Sequence, residues 1–178
     1  MKSECLPFSQ IPHSTRLFTD FLSYSPKVQK FYPHSPFFNQ WAKDEVSQLK
    51  YDLERRQRVS SILERQNRNW GASEKTLANI GRLRAGAAAV VTGQQVGLFG
   101  GPVFTIFKAL TAVKLADQAT RAGVDCVPIF WLATEDHDLA EVNQVAIPAS
   151  DYSLQSFTLP AHELPAAPVG TIRFGSEV

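Results

Sequence analysis

The sequence has few cysteines, almost no net charge and no long apolar run. Only Cys5 and Cys126 are cysteines, and they form no CxxC or other metal-binding pair. The 18 Lys and Arg balance 17 Asp and Glu, so no overall charge attracts nucleic acid or an anionic membrane. Apolar stretches such as 127–133 are far shorter than the roughly 20 residues that span a bilayer. With no apolar signal-peptide core after Met1, we expect a cytoplasmic protein with reduced thiols and no membrane or nucleic-acid partner.

The first 86 residues predict an arm and helices that pack on a larger core. Residues 1–40 are rich in proline and aromatic residues, which favours an extended arm with short helical pieces, one of them over 15–24. Apolar residues at seven-residue spacing predict one amphipathic helix over 41–70. A second helix is predicted over 73–84, with Ser73 as its N-cap and Gly86 at its end.

The next region, 87–142, predicts a βαβ core. Small and β-branched residues at 87–92 indicate a buried strand, and 127–132 indicate a second one. Between them, 102–120 carry the apolar surface of a helix that Gly123 ends. A strand, helix and strand at this spacing predict a parallel sheet with a right-handed crossover.

Beyond this core, 143–178 predict the start of a β insertion. Short alternating segments at 142–147, 152–159 and 169–174 are separated by prolines and favour antiparallel strands or hairpins. The predicted fold class is therefore α/β, with one βαβ unit, a helical N-terminal arm and a short antiparallel β insertion.

The segment Thr92–Pro102 follows the first predicted strand, where α/β sheets bind ligands. Glycines allow a ligand to approach the backbone, and the following helix N-terminus favours an anion. Its spacing is neither GxGxxG nor a phosphate-binding loop. Lys108, two turns into the helix, either reaches back to a phosphate or carboxylate or lies on a solvated face. The candidate binding residues are Thr92, Gly93, Gln94, Gln95, Gly97, Gly100, Gly101 and Lys108.

A second polar segment, Glu135-Asp136-His137-Asp138, directly follows the second strand. Adjacent acids repel one another unless a ligand or hydrogen bonds compensate. Glu135, Asp136 and His137 are candidate catalytic residues, which could bind an amine or hydroxyls or act as general base. Asp138-x-x-Glu141 resembles a capping box, so Asp138 is better explained as a cap than as a catalyst. Trp131 lines a pocket or packs in the core.

Three functional hypotheses are open for these segments. One, which rests on the family resemblance given next, is an amide-forming ligase. Another is a metal-dependent hydrolase that uses the Glu135–Asp138 cluster, although no distant further ligand is identifiable and no metal is predicted. The last is a non-catalytic nucleotide-binding module.

Two long motifs resemble the bacillithiol biosynthesis cysteine-adding enzyme family (BshC, cysteine ligases). They are VTGQQVGLFGGP at 91–102, followed by Lys108-Ala109, and PIFWLATEDHD at 128–138. The resemblance covers the whole chain and implies a Rossmann-like core akin to class I aminoacyl-tRNA synthetases. It implies a reaction that joins the carboxyl group of cysteine to the amine of glucosaminyl-malate.

The resemblance also implies where substrates and partners bind. ATP or another nucleotide would bind at the glycine-rich turn, with Glu135, Asp136, His137 and Asp138 lining the same cleft. Family members are several times longer and form homodimers through a C-terminal coiled coil that this sequence lacks. We therefore expect the chain to be an N-terminal fragment of such an enzyme.

Overall fold

A computed structural model describes residues 4–159 and 167–173 of the chain. The helices are α1 (Arg16–Leu22), α2 (Pro26–Gln29), α3 (Ala42–Gln48), α4 (Leu53–Asn69), α5 (Glu74–Ala85), α6 (Phe104–Arg121) and α7 (Leu139–Val142). The strands are β1 (Ala88–Gln95), β2 (Cys126–Ala133), β3 (Gln144–Pro148) and β4 (Leu154–Thr158). Short 3-10 turns lie at Phe8–Gln10, Phe38–Gln40, Leu98–Gly100 and Val169–Thr171.

The predicted βαβ core is confirmed. β1 and β2 pair in parallel, from Ala88 opposite Cys126 to Gln95 opposite Ala133, and α6 connects them and packs on both. The sheet-facing side of α6 carries the buried residues Ala112, Ala116 and Ala119. Because these side chains are small, the helix axis lies close to the strands.

Cys126 lies in the core that this packing creates. Its side chain is buried in a cluster with Ala116, Ala119 and Val124. Burial raises the pKa of the Cys126 thiol, and the charge of Asp125 raises it further. The thiol therefore serves as a small apolar side chain, as the sequence predicts.

The predicted end of the first strand is wrong. β1 continues past Thr92 through Gly93 and Gln94 to Gln95, so these residues belong to the sheet rather than to the turn. Gly93 lies opposite Trp131, and a Cβ at Gly93 would stand 2.7 Å from the Trp131 carbonyl oxygen. The glycine thus allows the strands to pair closely, where the sequence pattern suggested a strand end.

The single helix predicted over 41–70 is also wrong, because the chain breaks it between α3 and α4. Leu49 adopts an extended conformation with ψ 114°, and the Asp52 side chain then caps α4 by accepting from the Arg55 backbone N–H at 2.7 Å. Local capping outweighs the seven-residue apolar pattern here. The helix predicted over 73–84 is confirmed as α5, with Ser73 as its N-cap and Gly86 at its end.

Arg56 is the residue that interrupts the apolar series on α4, and its contacts explain the interruption. Its guanidinium donates to the Leu83 carbonyl at 2.9 Å and to the Ala87 carbonyl at 3.2 Å. The side chain therefore ties α4 to the C-terminal end of α5 and to the start of β1, where a cation is favoured.

The region after the βαβ core follows the prediction only in part. β3 and β4 form an antiparallel pair, from Gln144 opposite Thr158 to Pro148 opposite Leu154. The strand predicted over 169–174 is wrong for the described residues, because Val169–Thr171 forms a 3-10 turn. Phe174 lies outside the described residues.

The predicted burial of both strands holds at their start, where Cys126 and Val127 are both buried, but not toward their carboxyl ends. Ala88 and Val90 pack on the core cluster, whereas Val91 is 61% exposed and Trp131 is 58% exposed. The outer side of α6 exposes Val103, Phe104, Ile106, Phe107, Leu110 and Val113. One crossover helix covers only one face of a two-stranded sheet, which leaves this apolar surface open among the described residues.

The N-terminal arm contributes little to the core. Phe38 packs on the central cluster and Trp41 stacks on His34, but Phe8 and Phe31 are mostly exposed. Among the described helices, none is both long and apolar enough to cross a membrane.

Alanine substitutions at Gly93 and Gly81 test whether Gly93 is needed for close strand pairing, because the two changes should shift the free energy of unfolding in opposite directions. Gly93→Ala places a methyl group against the Trp131 backbone, so we expect it to lower the free energy of unfolding by about 1–3 kcal/mol. Gly81→Ala, inside α5 with nothing near its Cβ position, should raise the free energy of unfolding by about 0.5–1 kcal/mol. Urea unfolding midpoints measure both, and a Gly93→Ala protein as stable as the parent would contradict the proposed role of Gly93.

Candidate active site at the carboxyl ends of the parallel strands

The pairing of β1 with β2 brings both predicted polar segments together. Gln95 lies opposite Ala133 at the last position of the sheet, so the turn after β1 and the acidic segment after β2 leave the sheet side by side. This is the edge at which α/β sheets bind ligands. The predicted association of the two segments is therefore present in the fold.

A continuous series of side-chain hydrogen bonds crosses this edge. Lys108 Nζ donates to Gln94 Oε1 at 2.7 Å, and Gln94 Nε2 donates to Gln95 Oε1 at 2.9 Å. Gln95 Nε2 in turn donates to Asp136 Oδ2 at 3.1 Å and to Glu141 Oε2 at 3.0 Å. The series joins α6 to two carboxylates that belong to the segment after β2.

Asp136 is held in its ionised form. Its Oδ1 accepts from the Asp138 backbone N–H at 3.2 Å, and its Oδ2 accepts from Gln95. The Asp138 backbone hydrogen bond is the largest cause that lowers the pKa of Asp136, followed by the hydrogen bond from Gln95 and by smaller effects of His137. Asp136 is therefore a carboxylate at neutral pH, which suits it to hold a cation or accept a proton but not to donate one.

Asp138 is the N-cap of α7, as its spacing to Glu141 predicts. Its Oδ1 accepts from the Glu141 backbone N–H at 3.2 Å. Its side chain thus stabilises the turn that carries Glu141, and its backbone N–H reaches Asp136.

Glu135, His137 and Trp131 lie outside this hydrogen-bonded series. Glu135 is exposed, and its Oε1 accepts from Trp131 Nε1 at 3.4 Å. The exposed His137 side chain makes no side-chain hydrogen bond within the part of the chain that the structure describes. The structure therefore joins Asp136, among the three predicted catalytic residues, to Gln94, Gln95 and Lys108.

Close backbone contacts and a positive φ explain why the turn contains glycines. A Cβ at Gly97 would stand 3.0 Å from the Gly101 Cα, and Gly101 has φ 75°, which favours glycine. Gly100 N–H donates to the Gly97 carbonyl at 3.0 Å, which closes the turn. With the close approach at Gly93, these contacts mean that the number of glycines does not by itself indicate a ligand.

The N-terminal end of α6 retains features suited to an anion. Val103 precedes the helix and supplies no side-chain cap, and the first turn carries no acidic residue. The Thr105 hydroxyl oxygen is shielded from solvent and has no hydrogen-bond partner among the described residues. It lies 3.6 Å from the Cβ position of Gly101. An uncapped helix N-terminus beside an orphaned hydroxyl is chemically compatible with a phosphate or carboxylate group.

Sequence reasoning missed Glu141, Thr105 and the docking of Val169 and Gly170. Glu141 was predicted only as part of a capping box, yet its carboxylate lies beside that of Asp136 on the same Gln95 amide. Gly170 N–H donates to the Thr134 carbonyl at 2.9 Å, and Val169 N–H donates to the Asp136 carbonyl at 2.7 Å. The spacing of Asp138 and Glu141 signalled the first residue, whereas no local pattern signals the docking of Gly170.

The metal-site hypothesis finds no support in the geometry. Within residues 4–159 and 167–173, no three His, Cys, Asp or Glu side chains converge as metal ligands. Asp138 serves as a helix cap, and Asp136, His137 and Asp138 do not form one group of potential ligands.

Comparisons with known proteins agree with the sequence motifs. The sequence model described as "Bacillithiol biosynthesis BshC, N-terminal Rossmann-like domain" matches residues 1–178. A protein of Koribacter versatilis named "Putative cysteine ligase BshC" is 49% identical over 174 residues, which are 98% of this chain and 32% of that protein. Proteins with the same name from Solibacter usitatus and Oceanobacillus iheyensis are 43% and 30% identical, over 82% and 84% of this chain and 26% and 27% of their own lengths. The chain thus spans about a third or less of each of these relatives.

The lowered pKa of Asp136 predicts that this carboxylate stabilises the fold at neutral pH and that the stabilisation is lost in acid. A carboxylate whose folded pKa is lowered stabilises the fold above its unfolded pKa of about 3.9, and this contribution is lost as pH falls through the folded pKa. We therefore expect Asp136→Asn to make unfolding by urea less dependent on pH below about pH 4. The control is Asp117→Asn, an exposed carboxylate of α6 that should leave the pH dependence unchanged. Equal acid dependence in the parent and Asp136→Asn proteins would contradict the assignment.

Proposed function

This chain belongs to the bacillithiol biosynthesis BshC family, and from that membership we propose that its strand-end site forms part of the active site of an amide-forming ligase. The proposed reaction joins the carboxyl group of cysteine to the amine of glucosaminyl-malate. The relatives' name, cysteine ligase, supports cysteine as one substrate, and the family description supports a role in bacillithiol biosynthesis; glucosaminyl-malate as the acceptor is part of the proposal.

The observation that carries the proposal is the pair of carboxylates on one amide. Gln95 Nε2 lies 3.1 Å from Asp136 and 3.0 Å from Glu141, at the edge of a parallel sheet. Two neighbouring carboxylates attract a primary ammonium group and can accept the proton that the nitrogen loses after it has attacked. An amino sugar is a substrate of this kind.

In the proposed step the ammonium group first loses one proton to solvent, and the free amine nitrogen then attacks the activated carboxyl carbon of cysteine. The new C–N bond forms, and the bond from that carbon to its activating group breaks, with the electron pair leaving on the group. The nitrogen proton passes to Asp136 or Glu141. A carboxylate of low pKa suffices as base, because nitrogen in the addition intermediate is far more acidic than a free ammonium ion. Glu135 and His137 lie on the exposed side and are proposed to contact the sugar hydroxyls.

We further propose that a nucleoside triphosphate, such as ATP, binds at the glycine-rich turn. It would supply the activation of the cysteine carboxyl group. The uncapped N-terminus of α6 and the orphaned Thr105 hydroxyl are compatible with its phosphates. Thr92, Gly97, Gly100 and Gly101 provide the backbone around this position.

Complementation tests the catalytic proposal. In cells that lack the full-length gene, forms with Asp136→Asn or Glu141→Gln should restore at least about tenfold less bacillithiol than the parent, as expected when a positioned base is lost. Asp117→Asn, which removes an exposed carboxylate of α6, should restore the parental level. Parental thiol levels with both site variants, at equal protein abundance, would refute this assignment.

Calorimetry tests the nucleotide separately. We expect the full-length protein to bind ATP, and Thr105→Val to weaken that binding about fivefold through the loss of one hydrogen bond. Lys114→Met, on the same helix, should not change the affinity. A protein that binds cysteine but neither ATP nor ADP would overturn the nucleotide proposal and leave the catalytic one standing.

A further inference from the structure

The Lys108 side chain is exposed, and its ammonium group also contacts the end of β1. Its ammonium group lies 2.7 Å from Gln94 Oε1 and 3.4 Å from the Gly93 carbonyl oxygen. Both contacts are to acceptors at the end of β1. The sequence left open whether Lys108 reaches a ligand or lies on a solvated face; the side chain is exposed, and its ammonium group is directed to the strand end.

The two ends of the hydrogen-bond series have fixed polarity. An ammonium group donates only, and ionised carboxylates accept only, whereas each glutamine amide can face either way. If both amides turned over, Lys108 would face the Gln94 amino group, and Asp136 and Glu141 would face the Gln95 carbonyl. Both ends would then be repulsive. One orientation of Gln94 and Gln95 therefore satisfies every member.

We propose that Lys108 is a positioning residue that acts through Gln94 and Gln95 to keep an amide donor on Asp136 and Glu141. Lys108 fixes which way the Gln94 amide faces, and Gln94 in turn fixes Gln95, because the Gln94 amino group donates to Gln95 Oε1 at 2.9 Å. Gln95 is thereby left with its two N–H bonds for the carboxylate pair. The proposed ligase reaction is the context for this role, but the arrangement itself can be tested without any activity.

The functional consequence is that Asp136 stays ionised and that both carboxylates stay correctly aimed. The Gln95 donor offsets part of the repulsion between two neighbouring acids, and it is the second-largest cause of the lowered pKa of Asp136. A donor that could turn away would leave the pair free to take up a proton in place of the substrate amine. Lys108 thus affects the base without contacting it.

The first measurement is a carbon-13 titration of the Asp136 carboxyl group in the full-length protein, assigned by comparison with Asp136→Asn. We expect a midpoint below about 3.9 in the parent, and a rise of about 0.5 pH unit in both Lys108→Met and Gln94→Leu, because one hydrogen bond is loosened. The double variant should titrate like either single variant, because both changes interrupt the same series. Thermal unfolding monitored by circular dichroism confirms that each variant is folded.

The controls distinguish an effect through the hydrogen-bond series from an effect of losing one positive charge on α6. Lys108→Arg keeps a donor-only group and should retain the parental midpoint, whereas Lys114→Met removes a cation of the same helix and should also leave it unchanged. An unchanged midpoint in Lys108→Met, or a double variant whose shift is the sum of the single shifts, would overturn the proposal. Gln94→Glu, which keeps the acceptor for Lys108 but cannot donate to Gln95, should raise the midpoint as Gln94→Leu does and serves if Gln94→Leu does not fold.

The second measurement is the pH profile of cysteine addition. If the proposed function holds, Lys108→Met should move the acidic limb of kcat/KM upward by the same amount as the Asp136 midpoint. A protein with no cysteine-adding activity would refute the proposed function, while the titration would still decide the role of Lys108. An active protein whose acidic limb stays fixed while the midpoint moves would show that Asp136 is not the base and that Lys108 does not act in catalysis.

Discussion

The parallel pairing of β1 with β2, continued through Gly93 to the last residue of each strand, is the constraint on which the site depends. Without a Cβ at Gly93, the strand lies against the Trp131 backbone and the pairing reaches Gln95 and Ala133. Those three added residues place the Gln94 and Gln95 side chains at the sheet edge, where Lys108 approaches from α6 and Asp136 approaches from β2. A strand that ended at Thr92 would leave the amides in a loop with no fixed relation to the acids.

The sequence predicted the elements that short-range physics decides. Three of them depend on neighbours within a few positions: the strand of small and β-branched residues, the Asp138 cap and the end of α5 at Gly86. The structure contains each of them. The sequence could not predict features that distant contacts decide. The interruption at Arg56 is explained by carbonyls 27 and 31 residues away, and the turn at Val169–Thr171 by hydrogen bonds to Thr134 and Asp136.

The candidate site was located by sequence, but the reasons for its residues changed. The sequence favours ligand binding as the reason for the glycines, whereas strand pairing and the closed turn give Gly93, Gly97 and Gly101 packing roles. What distinguishes the site is the polar series, which carries a donor from α6 to two carboxylates. Glu141 was read as a cap because local spacing shows helix ends directly, whereas its position beside Asp136 depends on how the segment after β2 turns back toward β1.

Hydrogen bonds rather than apolar packing hold the functional groups in place, and this matters for how they respond to a ligand. The buried core lies toward the other end of the sheet, around Ala116, Ala119 and Cys126, while Lys108, Gln94 and Gln95 are partly or largely exposed. Exposed ion pairs and hydrogen bonds contribute little to stability, because water competes for every group. The polar series therefore orients these side chains but contributes little to the free energy of unfolding. In the proposed reaction, a substrate ammonium group would meet two carboxylates that are oriented by the Gln95 amide rather than by apolar packing.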